Sequence, residues 1–325
     1  MSVLILEPLA LDVMAWLEGR HPVHYSPALA RDPRALRQAL FNVRALVLPP
    51  SVALDAQTLQ YAPVLRAVGR VSAGAENIDL DACGRAGVEV VRSPTASATA
   101  EAEFMIGALL AMLRRVPVLS AEGLLVGREL GAATVGLIGM APAARVIAGL
   151  LAAFGARVVG YDPSVHASDP LWSRWRVQPL GLGELMETSD AVCVQLPYFT
   201  RYEKLLGERL LSVCKPNQVL VSLSHSGVFD ERALARALTD GRMAAAWFDS
   251  LEPGALDPGR PLRDIDTLQV TPRVASTTRE SRGRSAWGVV RRIDEILGAA
   301  PSQRADLRPM DSGAAVGLAA GPASG

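Results

Sequence analysis

Gly139 and Asp162 stand 23 residues apart, and the chain between them alternates in a way that can hold a dinucleotide. Val135 to Ile138 is a short apolar run that reads as a strand. Gly139 permits a tight turn, an apolar helix follows, and a second strand leads to Asp162. In such a βαβ unit the turn brings backbone close to a pyrophosphate, the helix N-terminus receives its charge, and the acid meets the ribose hydroxyls. The spacing agrees with the roughly 20 residues this arrangement needs. The turn, Gly139-Met140-Ala141-Pro142-Ala143-Ala144, has alanine at the second and third of the usual glycine places. Pro142 suits the first helical turn, where its preset φ is required. Ala141 puts a methyl group where glycine would let backbone approach phosphate. Asp162 is followed by Pro163 and Ser164 rather than arginine, so a 2′-phosphate would meet a carboxylate and NAD is favoured over NADP. A strand-end turn residue is the plainer reading of Asp162, and its spacing weighs against it.

The elements that must position these residues are those of a two-domain globular chain. Its 325 residues suffice for two cores, half of them are apolar and a fifth are charged. Thirty-three basic and 33 acidic residues cancel, which leaves no global field for nucleic acid or an anionic membrane. No apolar run approaches the ~18 residues that span a bilayer. Cys83, Cys193 and Cys214 are odd in number and far apart, as expected of reduced cytoplasmic thiols rather than disulfides or a metal site. The opening MSVLILEPLALDVMAW has no basic leader and carries Glu7 in its apolar run, so it reads as a first strand and helix.

Strands and helices alternate throughout. The first region gives strands at 3–6, 23–25, 45–48, 67–71 and 88–91, with helices at 11–18, 33–41 and 79–86. A long helix over 98–115 has acids in its first turns and two arginines at its end, the polarity its dipole favours. From about Thr134 the pattern repeats, with further strands at 191–195, 218–222, 244–248 and 268–271 and helices at 208–213 and 230–239. A final helix over 281–297 spaces Trp287, Val290, Ile293 and Leu297 so as to pack back on the first domain. Alternation of this kind means parallel pairing in open α/β sheets, whose ligands lie beyond the strand ends. Leu196-Pro197, Leu223-Ser224 and Asp249 all occupy such ends. The tail from 301, rich in Gly, Ala, Pro and Ser, reads as flexible.

Eight segments in order carry a family likeness: SAGAENIDL (72–80), SPTASATAEAE (93–103), GRELGAATVGLIG (127–139), GYDP (160–163), VQLPYFT (194–200), KPNQVLVSLSHSGVFDERAL (215–234), AAWFDSLEP (245–253) and TPRVASTT (271–278). From Val3 to Leu297 the chain resembles the D-isomer-specific 2-hydroxyacid dehydrogenases. The resemblance implies two Rossmann-like α/β domains with parallel sheets, the nucleotide-binding one inserted into a flavodoxin-like substrate domain. The boundaries it implies are 1–97 with 276–300 for the substrate domain and 98–275 for the NAD-binding domain. It implies NAD, a small 2-hydroxy or 2-keto acid in the cleft, and a homodimer formed through the NAD-binding domain. Leu196, Pro197, Leu223, Ser224, Asp249 and Ala275 would then flank the ribose and nicotinamide. Ser72-Ala73-Gly74-Ala75 would offer backbone N–H groups to the substrate carboxylate, an ordinary strand-to-helix turn being the alternative.

Oxidising a 2-hydroxy acid requires a held carboxylate, a base for the hydroxyl proton and an aimed C2 hydride. A histidine oriented by a carboxylate suits the proton, and arginine's fork suits the carboxylate. By resemblance the family's arginine position holds His225, its glutamate position holds Glu252, and its histidine position holds Arg273. Arginine stays charged at any working pH and cannot shuttle a proton. Two readings follow. Either the roles are exchanged, with His225 as acid/base and Arg273 on the substrate, or the pair has decayed and the chain binds NAD(H) without ordinary turnover. Arg92 and Arg115 read as solvated surface charges. The Ala141 methyl generates a direct expectation: Ala141→Gly tightens NADH binding by about threefold, the equivalent of roughly 0.6 kcal/mol, in a fluorescence titration. An unchanged dissociation constant would remove the methyl group from the account.

Overall fold

The computed structural model describes residues 2–72, 77–197 and 199–299. Its first part runs β1 (Val3–Ile5), α1 (Leu11–Glu18), β2 (Val23–Tyr25), α2 (Pro33–Ala39), β3 (Ala45–Val47) and α3 (Ala56–Leu59). It continues with β4 (Ala67–Gly69), α4 (Leu80–Arg85), β5 (Glu89–Val91) and the long α5 (Ala98–Arg115). A hairpin of β6 (Val118–Leu119) and β7 (Leu125–Val126) leads to β8 (Thr134–Ile138), α6 (Pro142–Phe154) and β9 (Arg157–Tyr161). Then come α7 (Leu171–Trp175), β10 (Gln178–Pro179), α8 (Leu182–Thr188), β11 (Ala191–Val194), α9 (Glu208–Leu211) and β12 (Val219–Ser222). The chain closes with α10 (Glu231–Thr239), β13 (Ala245–Phe248), β14 (Leu268–Val270) and α11 (Arg279–Gly298).

Two parallel sheets result. The first has the order β2-β1-β3-β4-β5, the doubly wound arrangement of flavodoxin-like folds. The second has the order β10-β9-β8-β11-β12-β13-β14, whose strand order reverses between β8 and β11. That reversal opens a crevice at the carboxyl ends of the strands. Both faces of each sheet are covered. Val3 and Ile5 face α1 and α11, whereas Leu4 and Leu6 face α2, α3 and α4, the period of two that a strand dictates. In the second sheet α5 and α6 cover Val135 and Leu137, and α8, α9 and α10 cover Val192, Val194 and Leu220.

Helix α11 returns the chain to the first sheet. Gly69 on β4 is the point of closest approach: a Cβ there would lie 2.5 Å from Val289 Cγ1 and 3.1 Å from Ile293 Cδ1. At its far end Arg44 and Arg66 donate to the Leu297 and Ala299 carbonyls, both at 3.1 Å, supplying partners to groups that a helix end leaves over. His21 Nε2 meets Asp294 Oδ1 at 2.7 Å, so the end of α1 is tied to α11 as well. Near its start, Arg284 Nε donates to the Ala96 carbonyl at 2.9 Å, which fastens the return crossing to the outgoing one ahead of α5.

The expected helix over 33–41 ends at Ala39 and tightens into a 3-10 turn over Leu40–Asn42, a common close to a short helix. The β6–β7 hairpin and the short α3, α7, α8 and β10 were not foreseen, because elements of two to seven residues are too brief to display a hydrophobic period. The flexible reading of 301–325 falls outside the described residues. The packing at Gly69 predicts that Gly69→Ala destabilises the fold by roughly 1–3 kcal/mol, since a stiff β-branched Val289 must give way. A lowered urea midpoint checks this; an unchanged midpoint would mean that α11 sits less tightly than described.

Candidate active site in the inter-sheet cleft

Gly139 closes β8 with φ +89, a conformation that favours glycine. A Cβ there would lie 2.8 Å from the Gln195 carbonyl carbon and oxygen and 2.9 Å from Leu196 N, so the turn lies directly on the chain leaving β11. The contact occurs where the strand order reverses. Ala141 is the cap residue of α6 and contributes no side-chain hydrogen bond, while Pro142 opens the helix and Ala143 is buried behind it. No side chain caps the α6 N-terminus, which leaves its first N–H groups to a diphosphate. Two shielded polar atoms after β11 and β12, Gln195 Oε1 and Ser224 Oγ, have no hydrogen-bond partner among the described residues. Orphans at the strand ends are what a polar cofactor group would satisfy, and the crevice fits NAD.

Asp162 follows β9, but its carboxylate is also used within the chain. Oδ2 accepts the Met140 N–H at 2.7 Å, and Oδ1 accepts Ser164 N–H and Oγ at 2.8 and 2.6 Å. The acid thus braces the nucleotide turn, and only its remaining lone pairs can meet ribose. Leu196 is buried, Pro197 exposed, Leu223 half-buried and Ser224 buried. Asp249 is occupied too: Oδ1 accepts Thr271 Oγ1 at 2.8 Å and Val274 N–H at 2.9 Å, and Oδ2 accepts Ala275 N–H at 3.0 Å.

The structure brings His225 and Glu252 together. His225 Nε2 lies 2.8 Å from Glu252 Oε1, with the two side chains 30% and 46% exposed, so the pair is accessible from solvent. His225 Nδ1 accepts Gly227 N–H at 3.1 Å, which places the neutral ring's own proton on Nε2, toward the carboxylate. Ser226 Oγ accepts Glu252 N–H at 3.1 Å and keeps the short Asp249–Glu252 segment in reach. Arg273 is exposed and left-handed, with φ +54, its N–H held by the Asp249 carbonyl at 2.6 Å. A non-glycine residue in that region costs on the order of 1–3 kcal/mol, and the Asp249 network sustains it. Of the expected substrate loop, Ser72 is described and Ala73, Gly74 and Ala75 lie outside the described residues. Ser72 Oγ is shielded and has no hydrogen-bond partner among the described residues. Beyond the loop, Asn77 Nδ2 donates to the Pro49 and Val52 carbonyls.

Residues 109–275 match the model of the D-isomer specific 2-hydroxyacid dehydrogenase NAD binding domain. The (S)-sulfolactate dehydrogenase of Chromohalobacter salexigens is 32% identical over 306 residues, covering 91% of this chain and 98% of that one. The chain belongs to the D-isomer-specific 2-hydroxyacid dehydrogenase family. The D-3-phosphoglycerate dehydrogenase of Mycobacterium tuberculosis is 32% identical over 301 residues, or 90% of this chain, which spans only 56% of that relative. A crystal structure of a Thermus thermophilus protein superposes with a TM-score of 0.74 at 27% identity, covering 91% of this chain and 97% of that one. The Aquifex aeolicus D-lactate dehydrogenase complexed with NAD and lactic acid does so at 0.73 and 22% identity, covering 91% and 95%, a likeness of fold. The α/β architecture and NAD as the family's cofactor agree with the sequence reading. Among the described residues no cluster could hold a metal and no helix is long and apolar enough to cross a membrane.

The sequence missed one part of this dehydrogenase-family cleft. A cavity of about 270 Å³ between the first sheet and the starts of α5 and α11 is lined by Arg70, Arg92, Arg282, Ser72, Glu101 and Thr277, among others. Arg92, read as surface, is exposed but stands on its wall. The signal for Glu101 was its position in the first turn of α5, which helix polarity alone explained. Burial raises its carboxyl above the usual 4.5, a Ser97 hydrogen bond opposes this, and the Asp249 charge adds to it. The neutral form therefore favours the folded chain, and stability is given up as pH rises through the raised value. Glu101→Gln should accordingly melt higher than the parent at pH 8, with the advantage gone below about pH 4, under the unfolded pKa. Melting curves at the two pH values check this; an equal or lower melting point at pH 8 would show that Glu101 is not penalised by burial.

Proposed function

We propose that this chain is an NAD-dependent 2-hydroxyacid dehydrogenase in which His225 carries the hydroxyl proton and Arg273 holds the substrate carboxylate. The supporting observation is the 2.8 Å contact between His225 Nε2 and Glu252 Oε1. A carboxylate in that place orients the ring and stabilises the imidazolium that forms when the base takes a proton. The lone pair that takes it is at Nδ1, so the substrate hydroxyl must displace the Gly227 N–H that now occupies it. Bound NAD supplies the hydride acceptor. Arg273, permanently charged and presented on a loop fixed by Asp249, suits a planar carboxylate, with the backbone of 72–75 as the second grip. Asp162, Gly139, Ala141, Pro142, Ala143, Leu196, Pro197, Leu223, Ser224, Asp249 and Ala275 are the proposed cofactor contacts. We assign 1–97 with 276–300 to the substrate domain and 98–275 to the NAD-binding domain.

We further propose a homodimer through the NAD-binding domain, in a reducing cytoplasm. Leu119, Leu124 and Leu125 on the β6–β7 hairpin are 69%, 63% and 73% exposed, an apolar ribbon that needs cover. All three cysteines are free and buried, and burial pushes the Cys83 thiol up to about 11 and the Cys193 and Cys214 thiols to about 12.

A second reading rests on the same ring. Both imidazole nitrogens are engaged within the chain, which suits an NAD(H)-binding protein without ordinary turnover. Steady-state NADH oxidation with a series of 2-keto acids separates the two. In the first reading the parent turns over, and His225→Ala loses about 10²- to 10⁴-fold in kcat while NADH affinity is kept. Turnover that His225→Ala leaves intact would refute the role exchange. NADH binding without turnover on any acid would establish the second reading.

A further inference from the structure

His225 and Glu252 lie on different strand exits, after β12 and after β13, so their 2.8 Å contact depends on how the two exits are joined. The histidine side is held by backbone. Ser226–Val228 is a 3-10 turn, and the Ser226 carbonyl accepts Phe229 N–H at 2.9 Å. The Gly227 carbonyl accepts Lys204 N–H at 2.8 Å, which ties the turn to the segment between β11 and α9. Gly227 N–H donates to His225 Nδ1, so the ring takes its orientation from the same turn.

The glutamate side is held differently. Asp249 is fixed in its own network, and Leu251 packs against the core that contains Phe248 and Leu262. Glu252 then begins a turn: its carbonyl accepts Ala255 N–H at 3.0 Å, Pro253 follows it, and Gly254 has φ +80. Those are the residues a type II turn selects. Glu252 itself is exposed, and a cavity of about 180 Å³ lies beside it, lined by Ser226, Gly227, Leu251, Glu252 and Ala255, among others. Close packing on that side therefore does little to fix it. The Glu252 N–H spans from one exit to the other and donates to Ser226 Oγ at 3.1 Å.

Ser226 adjoins His225 in the chain, so its hydroxyl fixes the Glu252 backbone relative to the ring that the Glu252 carboxylate must meet. One bond to the backbone and one to the side chain make a two-point attachment. Without the first, the second alone must order both the segment and a rotamer-rich glutamate. We infer that Ser226 is a positioning residue, whose hydroxyl sets Glu252 against His225 and so aligns the ring for proton transfer. This deepens the dehydrogenase reading and rests on it for the roles of His225 and Glu252. Ser226 is assigned no contact with substrate or cofactor.

Misplacement of a catalytic group by an ångström costs on the order of 10²-fold in rate, and loss of one strut should cost part of that. Ser226→Ala should lower kcat about tenfold for NADH oxidation with a 2-keto acid, while KM for the acid and the NADH dissociation constant change roughly twofold at most. Ser226→Thr, which keeps the hydroxyl, should recover most of the rate. In a Glu252→Ala background Ser226→Ala should have no further effect, because a residue that acts through another is silent once the other is gone. A second readout needs no turnover. The chain has four histidines, and in NMR of protein carrying nitrogen-labelled histidine the His225 ring signals are those absent from His225→Ala. Ser226→Ala should shift them as Glu252→Ala does, and should shift them no further once Glu252 is alanine. Ring signals that Ser226→Ala leaves in place, a Ser226→Ala rate equal to the parent's, or a loss that persists in the Glu252→Ala background would each overturn the inference. Ring signals that respond as described in a chain that turns over no 2-keto acid would keep the placement of Glu252 by Ser226 and discard the dehydrogenase activity.

Discussion

The Asp249 carboxylate is the constraint on which the cleft depends. It ends β13, yet its side-chain hydrogen bonds run to the loop after β14: Thr271 Oγ1, Val274 N–H and Ala275 N–H. Its backbone carbonyl adds the Arg273 N–H. A buried acid with that many donors is well compensated for its desolvation. The same bonds hold Arg273 in a left-handed conformation that an unrestrained arginine would leave. Because α11 starts a few residues later, Asp249 also sets where the chain re-enters the first sheet.

The interchange of histidine and arginine becomes chemically intelligible in this geometry. The proton carrier and the anion holder of a 2-hydroxyacid site need not occupy particular strands; each must meet its own requirement. His225 has a carboxylate at 2.8 Å to orient it, whereas Arg273 sits on a braced, exposed loop where a permanent charge costs little. Glu252 reaches the imidazole from the segment after β13, aided by the Ser226 hydroxyl. Under the proposed assignment the site keeps a histidine–carboxylate pair.

Much of the fold was legible in the chain. Helices α1 and α5 and strand β2 have the limits that their apolar spacing indicated, and Asp79, Asp230 and Thr278 cap the following helices with their side chains. The nucleotide crevice was legible because glycine, proline and an acid at fixed separations have few other uses. The partners of Asp162 and Asp249 were not, since a carboxylate's choice between ligand and neighbouring amides depends on turns that a sequence does not display. Arg70, Arg92 and Arg282 lie at most 212 positions apart and converge only when β4, β5 and α11 pack, so no local pattern joins them. An isolated arginine reads as surface until the topology folds a seam around it.

Two stretches of backbone join the two sheets, one entering α5 and the other leaving β14 for α11. They are not independent, because Arg284 in the second turn of α11 is bonded to the Ala96 carbonyl just ahead of α5. Coupled in this way, they act as a single flexure with one preferred axis rather than two that swivel separately.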